Sequence, residues 1–449
     1  MQDIQKQYKL ADISVVTPMT SKTPFICFLG TYSPIMCGIA DYTQYVTREL
    51  SPGRWGIICF NPGLQKVPQT NNLLSSRDNI WYGLPDSDHL SQEVIGEGLN
   101  KLYGNERDCL LWFQHEFGLW PNMQQFVSAM RELDIPKIVT LHTLHFQSQE
   151  TPSGLRAIED QLLRSLLPHV DAITVFSHGV YSAVITSFPE YHDKVHIIRH
   201  GIHSYPEIKR LTREEAKEKL LDFLLYESNL DYAAKKTLHE QLIFQDQGSI
   251  IIGQTGFLDP AKRFEILYHV RDELAKTLPQ KHISAVRIGN QREETQKHYT
   301  SSLRREHNGV DKFFLETWLP PHMLPVAQRA FDINLYWPDD CTQSGILAHA
   351  LGAGALIAGR DLEGAGETLK EASAPVATTL ERLIDRMREI ILNPHLTVHL
   401  EDQATAYASR FSWTNQAVRH YELAEQIVHS NLHDTEIQYH PLSLTHLSL

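Results

Sequence analysis

The feature that most limits this chain is a repeated exchange of two periodicities. Short apolar runs that read as buried strands each give way to a polar loop, and then to apolar residues at helical spacing. The first instance is "FICFLGTYSP" from Phe25, followed by "GIADYTQYVTREL". Further apolar runs stand at "WGIICF", "CLLWFQ", "KIVTLHT", "AITVFS" and "VHIIRHG", with helical segments such as Met123 to Leu133 and Gly154 to Leu167 between them. Strands that alternate with helices pair in parallel, so the expected fold class is α/β with a doubly wound sheet.

After Gly201 the pattern changes to a charged stretch, "TREEAKEKLLDFLLYESNLDYAAKKTLHEQL", in which Thr212 and Glu215 have the spacing of a helix capping box. A second alternating set follows: "SIIIGQTGFLDPAKRFEILYHV", "ISAVRIGN", "KFFLETW", "DINLYWP" and "ALIAG". With 449 residues, 42% of them hydrophobic, the chain exceeds one ordinary core and suits two. Two doubly wound domains joined near residue 205 would place a cleft between the carboxyl ends of their sheets, where such folds bind ligands.

Charge removes several classes of partner. The formal net charge is -13, with 41 Lys+Arg against 54 Asp+Glu, which argues against nucleic acid and against a broadly basic membrane-docking surface. The five cysteines (Cys27, Cys37, Cys59, Cys109 and Cys341) are widely spaced and form no CxxC pair, as expected of reduced thiols in a cytosol. The opening "MQDIQKQYKLADISVV" lacks a basic n-region before an apolar h-region, and no eighteen uncharged apolar residues run together. The expectation is a cytoplasmic protein without integral membrane association.

Four stretches carry the types of residue that chemistry needs. In "CTQSGILAHALGAGALIAG" a polar loop runs into a helix near Ile346, so the amides around Ser344, Gly345 and Ile346 would be unpaired at a helix start, a place that favours an anion. An ordinary helix cap has the same appearance. In "GQTGFLDPAKRFE", Lys262 stands at the start of the next helix and could meet a diphosphate as a point charge, or be a solvated surface lysine. In "QHEFGLW", His115 and Glu116 follow a buried strand, where a histidine could bond a sugar hydroxyl or move a proton, or be a loop histidine satisfied by backbone. His142 and His145 in "TLHTLHF" have no recognisable third ligand, so no metal site is expected. Gly38 in "SPIMCGIADYT" sits at a loop-to-helix junction that lacks both a Walker lysine and GxGxxG. The Asp-x-Asp of "PDSDH" reads as a surface turn.

Taken in order, these stretches resemble the retaining GT-B glycosyltransferases of family 4, a group that includes bacterial mannosyltransferases. The match is carried by "YSPIMCGIADYT", "QHEFG", "TLHT", "IIRHGI", "GFLDPAKRFE", "QSGILAHALGAGALIAG", "EGAGETL" and "RFSWTNQAVRHYELA". The resemblance implies an acceptor-binding Rossmann-like domain over 1–205 and a nucleotide-sugar-binding one over 206–410. A C-terminal helix over 411–430 would pack back toward the first domain, ahead of a tail over 431–449. It implies a metal-independent, cofactor-free hexosyltransferase that moves a hexose from a nucleoside-diphosphate sugar, with GDP-mannose as the candidate donor, to a hydroxyl acceptor.

Carried over residue by residue, Gly38 matches the first-domain glycine loop, and Lys262 the diphosphate lysine. Ser344, Gly345 and Ile346 match the loop amides that meet the diphosphate. His115 matches the histidine beside the transferred sugar, with Glu116 and His142 near it, and Glu367 the glutamate after the following strand. His200 matches the family's "PHG" histidine, with Arg199 in place of the proline. Two family glutamates are replaced near Cys341 and at His349, where an imidazole would face the ribose, and an arginine before the lysine is Phe257. Those departures keep alternatives open: a catalytically degenerate GT-B protein that binds sugar or partners another transferase, or another GT-B activity such as nucleotide-sugar epimerisation. Donor base, acceptor and oligomeric state are not legible.

Overall fold

A computed structural model describes residues 24–63, 79–103, 109–246, 248–291, 296–306 and 311–433. The opening sixteen residues and nearly all of the 431–449 tail lie outside the described residues. The first sheet contains β1 (Phe25–Gly30), β2 (Trp55–Phe60), β3 (Ile80–Leu84), β4 (Cys109–His115), β5 (Lys137–Leu141), β6 (Ala172–Val175) and β7 (Val195–Ile197). The second contains β8 (Ser249–Thr255), β9 (His282–Gly289), β10 (Lys312–Glu316), β11 (Ile333–Tyr336), β12 (Ile357–Arg360) and β13 (Val376–Ala377). Their orders are β3-β2-β1-β4-β5-β6-β7 and β10-β9-β8-β11-β12-β13, and the paired strands run parallel throughout. This is the α/β, doubly wound architecture that the alternating periodicity predicts.

Both orders reverse direction once, between β1 and β4 and between β8 and β11, and a crevice opens at such a point outside the carboxyl ends of the strands. Central strands are apolar along their length because helices cover both faces. In β8, Ile251 and Ile252 project into separate hydrophobic cores on the two sides of the sheet, as adjacent strand residues must.

Two strands escape the periodicity. β3 is an edge strand whose residues are mostly half-buried, and β13 is two residues long, so neither produces a clear apolar run. The helix expected from Gly154 begins at Ala157 instead. Gly154 has φ +93 and packs so closely on Phe146 that a β-carbon would lie 2.0 Å from its carbonyl oxygen; it belongs to a turn that only glycine makes readily. Thr212 and Glu215 form the capping box reciprocally.

The chain crosses between the sheets twice. At the second crossing, Ile202 donates to the Phe411 carbonyl at 2.8 Å and Trp413 to the Ile202 carbonyl at 3.2 Å. The helix Trp413–His433 then lies on the first domain, where Trp413 joins the core and His420 Nε2 meets the Tyr42 hydroxyl at 3.1 Å. Among the described residues no helix is long and apolar enough to cross a membrane.

Candidate active site in the cleft between the sheets

A cavity of about 720 Å³ lies between the carboxyl ends of the two sheets. A helix start opens onto it from either side. On the first domain it is helix Gly38–Glu49, whose Cys37 Sγ accepts from the Ala40 amide at 3.3 Å. On the second it is helix Gly345–Gly352, whose Ser344 Oγ accepts from the Leu347 amide at 3.4 Å. That cap leaves the Gly345 and Ile346 amides as first-turn donors. A β-carbon added at Gly38 or at Gly345 would meet nothing within 4 Å, so both glycines border open space. Two helix N-termini facing one cavity concentrate partial positive charge there, in a chain that is acidic as a whole.

Lys262 is brought to the same place from β8. It ends a short 3-10 turn, Pro260–Lys262, and does not start the next helix, which begins at Ile266. Asp259 caps that turn by accepting from the Ala261 amide at 2.9 Å, and the Ala261 carbonyl accepts from the Asp339 amide at 2.8 Å. The lysine turn is therefore tied to the loop that leads into Ser344. Lys262, Ser344 and Ile346 line one small chamber, and Ser344 also borders the large cavity together with Gly38, Glu116, His142, Gly345 and His349.

Two expected site residues are placed elsewhere. His115 ends β4 with its ring turned into the first core, 1% exposed, between Phe126 at 4.9 Å and Phe117 at 5.3 Å. Its Nε2 has no hydrogen-bond partner, and burial pulls its pKa down to about 3, so it is a neutral core histidine that does not line the cavity. Strand alternation is the reason: the next residue, Glu116, turns to the cavity, with Oε2 accepting from the Leu119 amide at 3.1 Å.

Glu367 is likewise absent from the cavity wall. Its carboxylate accepts from the His178 and Gly179 amides, at 2.6 and 2.8 Å, at the start of helix His178–Ser187 of the first domain. Arg199 Nη1 donates to it at 2.6 Å. Burial would raise its pKa, but Arg199 and the two amides hold it below the ordinary carboxylate value. One turn earlier, Glu363 accepts from the Phe146 and Gln147 amides at 2.8 and 3.0 Å. These glutamates fasten one domain to the other, each with both carboxylate oxygens accepting from first-domain groups.

The imidazole that borders the cavity from the end of β5 is His142. Its Nε2 lies 2.7 Å from Gln114 Oε1, and burial, with His200, His115 and His420 nearby, lowers its pKa to about 3. A neutral ring donating through Nε2 leaves Nδ1 as an acceptor. His145 goes another way, with Nδ1 2.5 Å from Glu159 Oε1 and Nε2 3.0 Å from Asp340 Oδ1 of the other domain. Among the described residues no group of three His, Cys, Asp or Glu is arranged to hold a metal ion.

The replaced family positions have partners of their own. His349 stacks on His203 with ring centroids 3.9 Å apart, its Nδ1 is 2.6 Å from the Tyr205 hydroxyl, and burial lowers its pKa to about 4. Cys341 donates to the Gln343 carbonyl at 3.1 Å and lies 2.8 Å from the Tyr336 hydroxyl, and burial pushes its thiol up to about 11. The Phe257 ring packs on Trp318 at 5.3 Å. His200 borders the cavity with Nδ1 bonded to the Gly201 carbonyl, and Arg199 serves the domain contact.

Residues that sequence reasoning passed over also line the cavity. Asp86 and Ser87, read as surface, stand at its edge, where Asp86 Oδ1 caps a short turn by accepting from the Asp88 and His89 amides. Asp41, three residues beyond Gly38 on the same helix, was legible in principle from that spacing.

No family model matches the chain, and no curated protein does. Solved structures do. A UDP-forming α,α-trehalose-phosphate synthase from Burkholderia xenovorans superposes with a TM-score of 0.62 at 13% identity, over 90% of this chain and 99% of that one. Anabaena HepE in complex with UDP and glucose gives 0.58 at 15% identity, over 90% and 99%. The E. coli trehalose-6-phosphate protein bound with UDP-2-fluoro glucose gives 0.59 at 12% identity, over 89% and 99%. At such identities the likeness is one of architecture, and the architecture of this chain is GT-B.

Proposed function

We propose that this chain is a glycosyltransferase that moves a hexosyl group from a nucleoside-diphosphate sugar to a hydroxyl acceptor bound against the first domain. The observation that carries the reading is the Ser344 cap and the open Gly345 helix start at one end of a cavity whose opposite wall is the open Gly38 helix start, with Lys262 lining the small chamber that Ser344 also borders. In such a transfer the bond from sugar C1 to phosphate oxygen breaks, and negative charge grows on the departing diphosphate. An ammonium and first-turn amides are suited to stabilising that charge. The new bond joins C1 to the acceptor oxygen, and the acceptor proton passes to the departing phosphate in a retaining, front-face course.

On this reading His142 and Glu116 orient sugar or acceptor hydroxyls, and neither is asked to form a covalent intermediate. His349, held by Tyr205 and His203, is the cavity-facing group for the ribose. The domain contacts made by Glu363 and Glu367 favour a closed cleft that keeps water from the donor. Metal independence, the retaining outcome and a cytoplasmic setting belong to the proposal too. UDP-sugars are the first donors to try, because the similar structures are described as UDP-forming or hold UDP, with GDP-mannose next.

The test is release of nucleoside diphosphate from UDP- and GDP-hexoses with and without EDTA. Acceptor-dependent release that survives EDTA, and that falls about 100-fold or more in Lys262→Ala, is the expected result; full activity in Lys262→Ala overturns the site. A second reading is a sugar-binding protein without turnover. It is favoured by the loss of carboxylates at Cys341 and His349, and by the commitment of Glu367 to the domain contact. Diphosphate binding without turnover of any donor would select it, whereas conversion of the donor sugar without acceptor would select epimerisation.

A further inference from the structure

Beneath the Gly345 helix lies a chamber of about 30 Å³, mostly apolar, whose polar lining includes Gln254, Lys262, Gln328, Tyr336 and Ser344. Two of these side chains are unusual in their burial. Gln254, from β8, is 6% exposed and Gln328, from helix Met323–Ala330, is 1% exposed, and the Oε1 atom of each has no hydrogen-bond partner.

For Gln328 the amide orientation is dictated by its surroundings. Nε2 donates to the Ile346 carbonyl at 3.2 Å and to Thr255 Oγ1 at 3.4 Å, so Oε1 must be the end left over. Its backbone is pinned as well, since Asn334 Nδ2 donates to the Gln328 carbonyl at 2.8 Å. Buried carbonyl oxygens without donors are rare, and two at one small chamber call for a donor between them. The volume admits one or two ordered waters. The cation that lines the chamber is Lys262, whose three N–H groups are the complement of such acceptors.

We propose that Gln254 and Gln328 are positioning residues for Lys262. Their amide carbonyls, through ordered water in the chamber, hold the ammonium beneath the Gly345 helix start, so that it is already in place when an anion arrives. The arrangement puts the lysine charge and the helix amides on one rigid unit, because Gln328 is bonded to the first helical turn itself at Ile346. In part this rests on the donor-binding reading above, and the two are tested by separate measurements.

The first measurement is a double-mutant cycle on UDP affinity by calorimetry. Gln328→Leu should weaken binding about tenfold, the size of one charge-assisted hydrogen bond, and the same change in a Lys262→Met background should weaken it less than about twofold. Equal losses in both backgrounds overturn the inference, because a merely structural lesion ignores Lys262. The second measurement needs no nucleotide: acetylation of Lys262 by an amine-selective ester, followed by peptide mass spectrometry against the exposed Lys276. Loss of its acceptors should speed Lys262 about threefold in Gln328→Leu and in Gln254→Leu, and the added carboxylate of Gln254→Glu should slow it. An unchanged ratio in all three variants refutes the positioning role. If wild-type protein does not bind UDP while these ratios move as stated, the donor reading fails and the positioning inference stands.

Discussion

Gly345→Ala separates folding from binding at the centre of the cavity. The backbone there lies outside the left-handed region, and the new β-carbon has no atom within 4 Å, so the folded state accommodates alanine. At a helical position, replacing glycine removes conformational freedom from the unfolded chain and should stabilise the protein by about 0.5–1 kcal/mol. The methyl group also occupies the space through which an anion reaches the Gly345 and Ile346 amides. Losing one hydrogen bond to a charged group costs about 1.5–3 kcal/mol, or roughly 10- to 150-fold in affinity. The expected outcome is thus opposite in sign for the two measurements: thermal unfolding unchanged or slightly higher, and UDP affinity by calorimetry at least about tenfold weaker. Gly38→Ala, equally unobstructed but on the opposite wall, should leave UDP affinity within about twofold of wild type, and impair use of the acceptor. A Gly345→Ala protein that binds UDP as wild type does would show that no diphosphate sits at this helix start.

Three further outcomes follow from the cross-domain contacts and the buried histidines. Glu367→Gln removes the charge that Arg199 and the two amides surround; with Glu371 still paired to Arg199, stability should fall by on the order of 2 kcal/mol, while UDP affinity changes little. A large loss of UDP affinity at unchanged stability would return Glu367 to the donor site. His145 is bracketed by Glu159 and Asp340, with Arg156 opposing; burial lowers its pKa, but the two carboxylates raise it above its ordinary value of 6.5. Its share of stability is therefore full below pH 6.5 and is lost as pH climbs through the raised value. Melting curves between pH 5.5 and 9 should show that loss in wild type and a flatter profile in Asp340→Asn, and equal profiles would exclude the bridge. His115→Phe should fold with equal or higher stability and keep activity within a few fold, because the ring is neutral, packed against Phe117 and Phe126, and makes no hydrogen bond through Nε2; a hundredfold loss of turnover would contradict its placement in the core.

Much of the candidate site is legible in the linear sequence because it is local. A serine followed by glycine before an apolar helix predicts its own cap and open amides, and Ser344 with Gly345 behaves so. The lysine after "GFLDPA" reaches the same place because it lies on the loop at the end of the neighbouring strand β8. His115 misleads for an equally local reason. A residue ending a strand faces one side or the other by alternation, and the strand that leads to it, "CLLWF", is apolar on both faces. Glu367 misleads because an acidic helix face looks the same whether it meets solvent or another domain's helix start.

By itself, then, the sequence determined the two parallel α/β units, most of the strands and helices along each, and the Ser344–Gly345 cap, since each depends on periodicity or on neighbours a few residues apart. Only the tertiary structure decided which charges meet. Asp340 reaches His145 across 195 residues, Glu367 reaches the His178 amide across 189, and Gln328, whose side-chain carbonyl is left without a partner, comes to line the same chamber as Lys262. Those pairings depend on how two separately folded sheets close on each other. No period in a linear sequence records that closure, because it is set by side-chain fit and by the cost of leaving buried polar groups unpaired.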